Sequence, residues 1–257
     1  GLPRRELPDN ATPEKIMLEG LNATDGAKTL HYKFNYSFKI PPTAEQTYTR
    51  EVSFEGEGNY DASSGDAEAH MIWHSFDMEF DYKLYRGIQY YRTKEDGTWY
   101  QLPQGRNLAV PSISEITRNT AEYMDNFQKI SRLDDQVIND RDCYHIAMVP
   151  NFDAIMQNQQ FLDMLRGERE QLDEETLKKI EETQQRLKNA SVVYEYWIDK
   201  EYLVLRRTLY NIEIMETDEK TQSSYPVKLV MEIEFPAYNV KLNISPPESS
   251  VMHESGT

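Results

Sequence analysis

From Leu30 to Ile40 apolar and polar side chains alternate without a miss. Leu30, Tyr32, Phe34, Tyr36, Phe38 and Ile40 fall on one side, and His31, Lys33, Asn35, Ser37 and Lys39 on the other. A period of two over this length predicts a long strand with one buried face. The alternation returns at Val52 and Phe54, set against Glu51, Ser53, Glu55 and Glu57. It returns again over 72–84, where Ile72, His74, Phe76, Met78, Phe80, Tyr82 and Leu84 oppose Asp77, Glu79, Asp81 and Lys83. Turn signals separate the runs at Ser63-Ser64-Gly65-Asp66, Arg86-Gly87 and Asp96-Gly97. Connections this short predict antiparallel neighbours arranged as a meander.

Helical signals interrupt the strands. Thr12-Pro13-Glu14 offers an N-cap, a proline suited to the first helical position and an acid at the positive dipole end. The helix it opens carries Ile16, Met17 and Leu21 and stops near Asp25-Gly26. Ser112 and Glu115 fit a capping box, and Ile116, Tyr123, Met124, Phe127 and Ile130 follow at helical spacing. A strand is expected at about 137–149. Asn151 then caps a helix with Phe152, Ile155, Met156, Phe161, Leu162 and Leu165, closed by Gly167. A very polar helix over 173–189 carries three spaced pairs, Glu174 with Lys178, Glu175 with Lys179, and Glu182 with Arg186, and reads as a solvated surface element. Three strands close the chain at about 192–199, 203–216 and 226–240. Pro236 cannot donate to a ladder, so the end of the last strand reads as an edge or a bulge.

With 257 residues, 39% hydrophobic and 28% charged, the chain is globular and reads as one domain over 12–250. It has a polar leader at 1–11, a helical insertion at about 151–189 and a tail at 251–257. A net charge of −16 argues against nucleic acid or an anionic membrane surface as partner. Cys143 stands alone, so no intramolecular disulfide forms, and its strand-like surroundings mark it as a core thiol and not a nucleophile. No run approaches the roughly 20 apolar residues of a membrane span. The opening residues hold no signal peptide, which leaves open whether one preceded them.

Catalytic chemistry finds little support, and no cofactor or metal is expected. Phosphate-binding, nucleophile-elbow and zinc-protease motifs are missing from the sequence. His70 and His74 on one strand would lie about 13 Å apart, too far to share an ion. Asp77, Glu79 and Asp81 on the face opposite the apolar stripe read as solvated carboxylates. The cluster Asp134, Asp135, Asn139, Asp140 and Asp142 lacks the calcium-loop spacing and its central glycine. The five N-x-S/T triplets read as chance.

Nine or ten long twisted strands must curl or close. The inward stripe is rich in Tyr, Phe and Met, which pack either as a filled core or as the lining of a cavity open to an acyl chain. Its candidate liners are Phe34, Tyr36, Phe38, Phe54, Phe76, Met78, Phe80, Met231 and Ile233 from strands, with Met124, Phe127, Phe152 and Met156 from helices.

Three local patterns resemble the periplasmic lipoprotein-carrier superfamily of LolA, LppX/LprG and RseB-like proteins. The first is Gly87-Ile-Gln-Tyr90-Tyr91-Arg92 followed by Asp96-Gly97-Thr-Trp99. The second is Tyr196-Trp197-Ile198-Asp199-Lys200 leading into Leu203-Val-Leu205-Arg206-Arg207. The third is the ending Leu242-Asn-Ile244-Ser-Pro246-Pro247-Glu248. The resemblance implies an α+β fold, a curved antiparallel half β-barrel of about 10–11 strands, unclosed, with helices plugging its concave face. It also implies a non-enzymatic, periplasmic or extracellular cell-envelope protein with a lipid or lipidated protein as cargo and membrane contact only through a lipid anchor upstream. A sensor or protein-interaction module with a filled core, binding an envelope protein, is the alternative on the same scaffold.

Overall fold

The computed structural model describes residues 1–104, 113–157 and 171–253. Helix α1 (Pro13–Asp25) starts as its sequence dictates: Thr12 Oγ1 accepts from the Lys15 amide at 3.2 Å and proline leads the first turn. Strands β1 (Thr29–Ile40), β2 (Arg50–Asp61), β3 (Ala67–Trp73), β4 (Met78–Tyr85), β5 (Ile88–Thr93) and the short β6 (Tyr100–Gln101) form an antiparallel meander. Helix α2 (Ile113–Glu122) precedes a second meander of β7 (Phe127–Ile138), β8 (Arg141–Pro150), β9 (Ser191–Asp199), β10 (Leu205–Thr217) and β11 (Ser224–Tyr238). Helices α3 (Phe152–Gln157) and α4 (Glu174–Leu187) lie in the connection between β8 and β9.

The two meanders join where β1 pairs with β11 and, with the short β12 (Val251–Met252), give one unclosed sheet of 12 strands in the order β12-β6-β5-β4-β3-β2-β1-β11-β10-β9-β8-β7. This topology puts the helices where they are. β6 and β7 sit near opposite edges, and α2, which precedes β7, packs on α1, which in turn lies against β7–β10. Ile16, Met17, Gly20 and Leu21 of α1 are buried there, with Gly20 placed against Ile198. Each large apolar side chain buried in this layer stabilises by about 1.5–3 kcal/mol. Strand β12 (Val251–Met252), inside the expected tail, pairs in parallel with β6, and Tyr91 Oη lies 2.8 Å from His253 Nδ1.

Several expectations are corrected. Residues 72–84 are not one strand but a hairpin: β3 ends at Trp73, a 3-10 turn spans His74–Phe76, and Asp77 is left-handed at φ 49. The turn moves Ile72 to the convex face and Trp73 to the concave one, paired with Phe54 and Met78. The helix expected to run through Phe127 and Ile130 ends at Glu122, and both residues belong to β7, which turns into β8 through Asn139-Asp140, both at positive φ. The capping residue Ser112 and the stretch holding Phe161, Leu162, Leu165 and Gly167 lie outside the described residues. Pro236 forms a bulge and not an edge: β11 is central, and its register against β1 shifts between His31 and Lys33. On α4, Glu175 meets Lys179 at 3.3 Å as expected, but Lys178 turns to Glu182 and Arg186 reaches Glu216 on β10.

The β9–β10 turn is built around Asp199, which is fully buried. Its carboxylate accepts from Arg141 Nε at 2.7 Å, Arg206 Nε at 2.9 Å and the Glu201 and Tyr202 amides at 2.8 and 3.1 Å. Burial alone would raise its pKa, but these donors hold it below the usual carboxylate range. The hub fixes Leu203 in the left-handed region at φ 53, a conformation a branched side chain adopts only under constraint.

Candidate functional site: the concave aromatic face

Register decides which side chains meet. Phe34 pairs with Gly56 and Ile233, Tyr36 with Phe54 and Met231, and Phe54 with Trp73. Paired residues of an antiparallel sheet share a face, so these rings collect on the concave side. They form a continuous ladder whose centroid spacings are 6.1 Å for Tyr32–Phe34, 5.4 Å for Phe34–Tyr36, 4.7 Å for Tyr36–Phe54 and 5.6 Å for Phe54–Trp73. Trp73 then contacts Phe76 at 5.8 Å and Phe80 at 5.9 Å. Tyr32 and Phe34 stack, and the other pairs are tilted or edge-on, geometries that aromatic pairs prefer.

Glycines make room for the ladder. A Cβ on Gly56 would stand 2.5 Å from Phe34 Cζ, and one on Gly58 would stand 2.2 Å from the Glu68 carbonyl and 2.9 Å from Tyr32 Oη. The rings of β1 therefore fold over positions where β2 has no side chain. Burial pushes the phenols of Tyr32 and Tyr36 well above their ordinary pKa, and those of Tyr82 and Tyr194 to about 12, so this face is uncharged at any physiological pH.

The ladder runs from a sealed end to an open one. Phe34, Phe80 and Ile233 are buried, whereas Phe38, Met78 and Phe76 are 38%, 43% and 58% exposed. Those three residues sit at the same end of the sheet, near the end of β1, at the first residue of β4 and in the turn before it. Of the expected liners, Phe34, Tyr36, Phe38, Phe54, Phe76, Met78, Phe80, Met231 and Ile233 are thus gathered on one face. Met124 is buried in a 3-10 turn, and Phe127, on a strand and not a helix, meets Tyr194 at 6.1 Å, next to the Tyr194–Tyr210 pair. Phe152 lies apart in a cleft of about 190 Å³ with Val149, Pro150 and Leu187. Met156 is within α3, but its side chain lies outside the described residues. Trp73, Tyr194, Tyr196 and Tyr210 were not expected on this face. The tyrosines stand in period-two alternation and could have been found; Trp73 was hidden by the unrecognised hairpin.

The convex face holds the groups considered for chemistry. His70 bridges Glu79 at 2.7 Å and Asp81 at 2.8 Å, and Arg92 and Lys94 close on the same two carboxylates. His74 sits in the turn, 3.2 Å from Glu55, and no group of side chains among the described residues is arranged to hold a metal. A cleft of about 350 Å³ is lined by charged side chains, Lys33, Glu55, Glu57, Glu232 and Glu234, together with Phe34 and Ile72. The Cys143 thiol is buried and pushed up to about 12, so it is no nucleophile at neutral pH. No helix among the described residues is long and apolar enough to cross a membrane.

No protein-family model matches the sequence, and no curated protein resembles it at a significant level. Similarity is found among solved structures. Lipoprotein LppX of Mycobacterium tuberculosis superposes with a TM-score of 0.53 at 11% identity, covering 91% of this chain and 98% of that one. LprF of Mycobacterium bovis superposes at 0.48 and 10% identity, covering 91% and 96%. At 11% identity the agreement with LppX concerns the path of the backbone. The chain therefore shares the backbone fold of LppX, an unclosed antiparallel sheet with helices packed on one face.

Proposed function

We propose that the protein is a lipid- or lipoprotein-binding protein of the cell envelope, periplasmic or extracellular, which shelters acyl chains between its sheet and helices without covalent chemistry. The observation that carries this reading is the aromatic ladder, sealed at Phe34 and Phe80 and exposed at Phe38, Phe76 and Met78. A soluble protein leaves three large apolar side chains exposed around the end of an aromatic row at a cost in solubility, and such a patch marks a binding surface. An uncharged face suits a hydrocarbon, and cargo held without a covalent bond can pass to a partner by exchange.

Native mass spectrometry before and after organic extraction tests the reading. The expected result is a stoichiometric acyl lipid on the protein as purified, reduced at least fivefold by Phe76→Glu, a change at an exposed turn position that leaves the fold intact. A bare protein mass, with no uptake from a mixed lipid extract, would overturn it. Capture of a protein partner in that case would favour the alternative, an interaction module with a filled core.

A further inference from the structure

The aromatic ladder ends on a hydrogen-bond donor that has no acceptor. Trp73 Nε1 is shielded from solvent, and no partner reaches it among the described residues. An indole N–H can only donate, and a buried donor left unmade carries its full desolvation penalty. Trp197 shows the ordinary solution, with its Nε1 donating to Gln136 Oε1 at 2.8 Å. Trp73 has no such side chain beside it: its ring neighbours are Phe54, Phe76 and Phe80. Those rings offer no oxygen or nitrogen acceptor, only weak π faces, and a water molecule would need several polar partners to stay there. Tyr32 Oη at the sealed end is also unpartnered, but it packs into the notch above Gly58.

The position of Trp73 matters as much as its unmet donor. It stands between the buried part of the ladder and Phe76, the most exposed ring of the rim. An amphiphile lying along the open part of the ladder would place its chain on Phe54, Tyr36 and Phe38 and its polar end at Trp73. A plain hydrocarbon there would leave the N–H unsatisfied. One neutral acceptor attached to the head of the chain would satisfy it and leave the rest of the surface dry.

We infer that this face selects acyl chains joined through an ester or amide, whose carbonyl oxygen accepts the hydrogen bond of Trp73 Nε1. The inference rests on the acyl-chain reading given above and adds the linkage chemistry that the site reads. Complementarity between one buried donor and one carbonyl acceptor is the argument, and it assigns the open end of the ladder to the head of the ligand.

The test compares dipalmitoyl phosphatidylcholine with its dihexadecyl ether counterpart, which has the same headgroup and chain length but no carbonyl. The full chain is expected to bind the diester about three- to tenfold more tightly, the range of one neutral hydrogen bond. Trp73→Phe should weaken the diester alone and so erase the difference. In protein labelled with ¹⁵N at the indoles, the Trp73 Nε1 signal should move downfield with the diester and not with the ether, while that of Trp197 stays. This second readout needs no substitution, so it decides the matter if Trp73→Phe folds poorly. Equal affinity for the two lipids with an unmoved Trp73 signal would overturn the inference and leave the acyl-chain reading standing. Failure of both lipids to bind would overturn that reading and this inference together.

Discussion

His70 is held between two carboxylates, Glu79 and Asp81, which are themselves closed by Lys94 and Arg92. The hydrogen bond to Asp81 is the main cause of a pKa raised above the ordinary value, with Glu79 adding to it and partial burial opposing. Since the folded value lies above the unfolded one, this contact stabilises fully below about pH 6.5 and fades as pH climbs through the raised value. Glu79 and Asp81 are held low, so their share is present above the ordinary carboxylate range and disappears in acid. Histidine titration followed by NMR should give a raised midpoint, and Asp81→Asn should return it toward about 6.5. An unchanged midpoint in the variant would show that Asp81 does not hold the proton. That Glu79 and Asp81 share a solvated face was legible from spacing alone. Their partner was not, because His70 reaches them across a turn that the sequence marks with no glycine, proline or asparagine.

The same turn governs what could be read at the level of elements. A period of two counts faces correctly only while the backbone stays extended, and Asp77 in the left-handed region resets the count. Met78 and Phe80 were placed on the correct face because the reset left their phase intact, whereas Ile72 and Trp73 exchanged sides. The spacing of Tyr123, Met124, Phe127 and Ile130 fits a helix, yet tertiary pairing of β7 with β8 overrides it, as it does for a short apolar run of either period. The recurrent Trp197-Ile198-Asp199 pattern could be recognised in sequence, but only the packed turn explains its acid. Replacing Asp199 by Asn should destabilise the fold by about 3–5 kcal/mol, since Arg141 and Arg206 would lose the charge that pairs them in a buried setting. Denaturant unfolding at neutral pH measures this. Asp199 is depressed when folded, so its contribution is lost as pH falls through that value, and the gap between variant and parent should narrow in acid. A variant within about 0.5 kcal/mol of the parent, the scatter of ordinary surface changes, would remove Asp199 from its role as hub.

For the molecule as a whole, alternation along the chain specifies faces but not curvature, so the half-barrel entered the reading through resemblance, and the joining of β1 to β11 came only from the structure. The charge was legible from the start, and it bears on how a protein of this shape meets a membrane. At −16, the molecule repels an anionic bilayer over a distance of about 8–10 Å at moderate salt. Its convex face adds rows of Glu55, Glu57, Glu232 and Glu234 around one cleft. A carrier that must touch a bilayer to load its cargo should therefore draw lipid faster from neutral vesicles than from vesicles rich in anionic lipid. Transfer of a fluorescent diacyl lipid from phosphatidylcholine vesicles, with and without phosphatidylglycerol at about a third of the lipid, measures the difference. About tenfold is expected at 20 mM salt, the lower end of electrostatic effects on encounter rates, shrinking toward parity at 500 mM. A preference that survives high salt would mean that the headgroup itself is recognised, and no preference at low salt would mean that loading needs no collision with the bilayer surface.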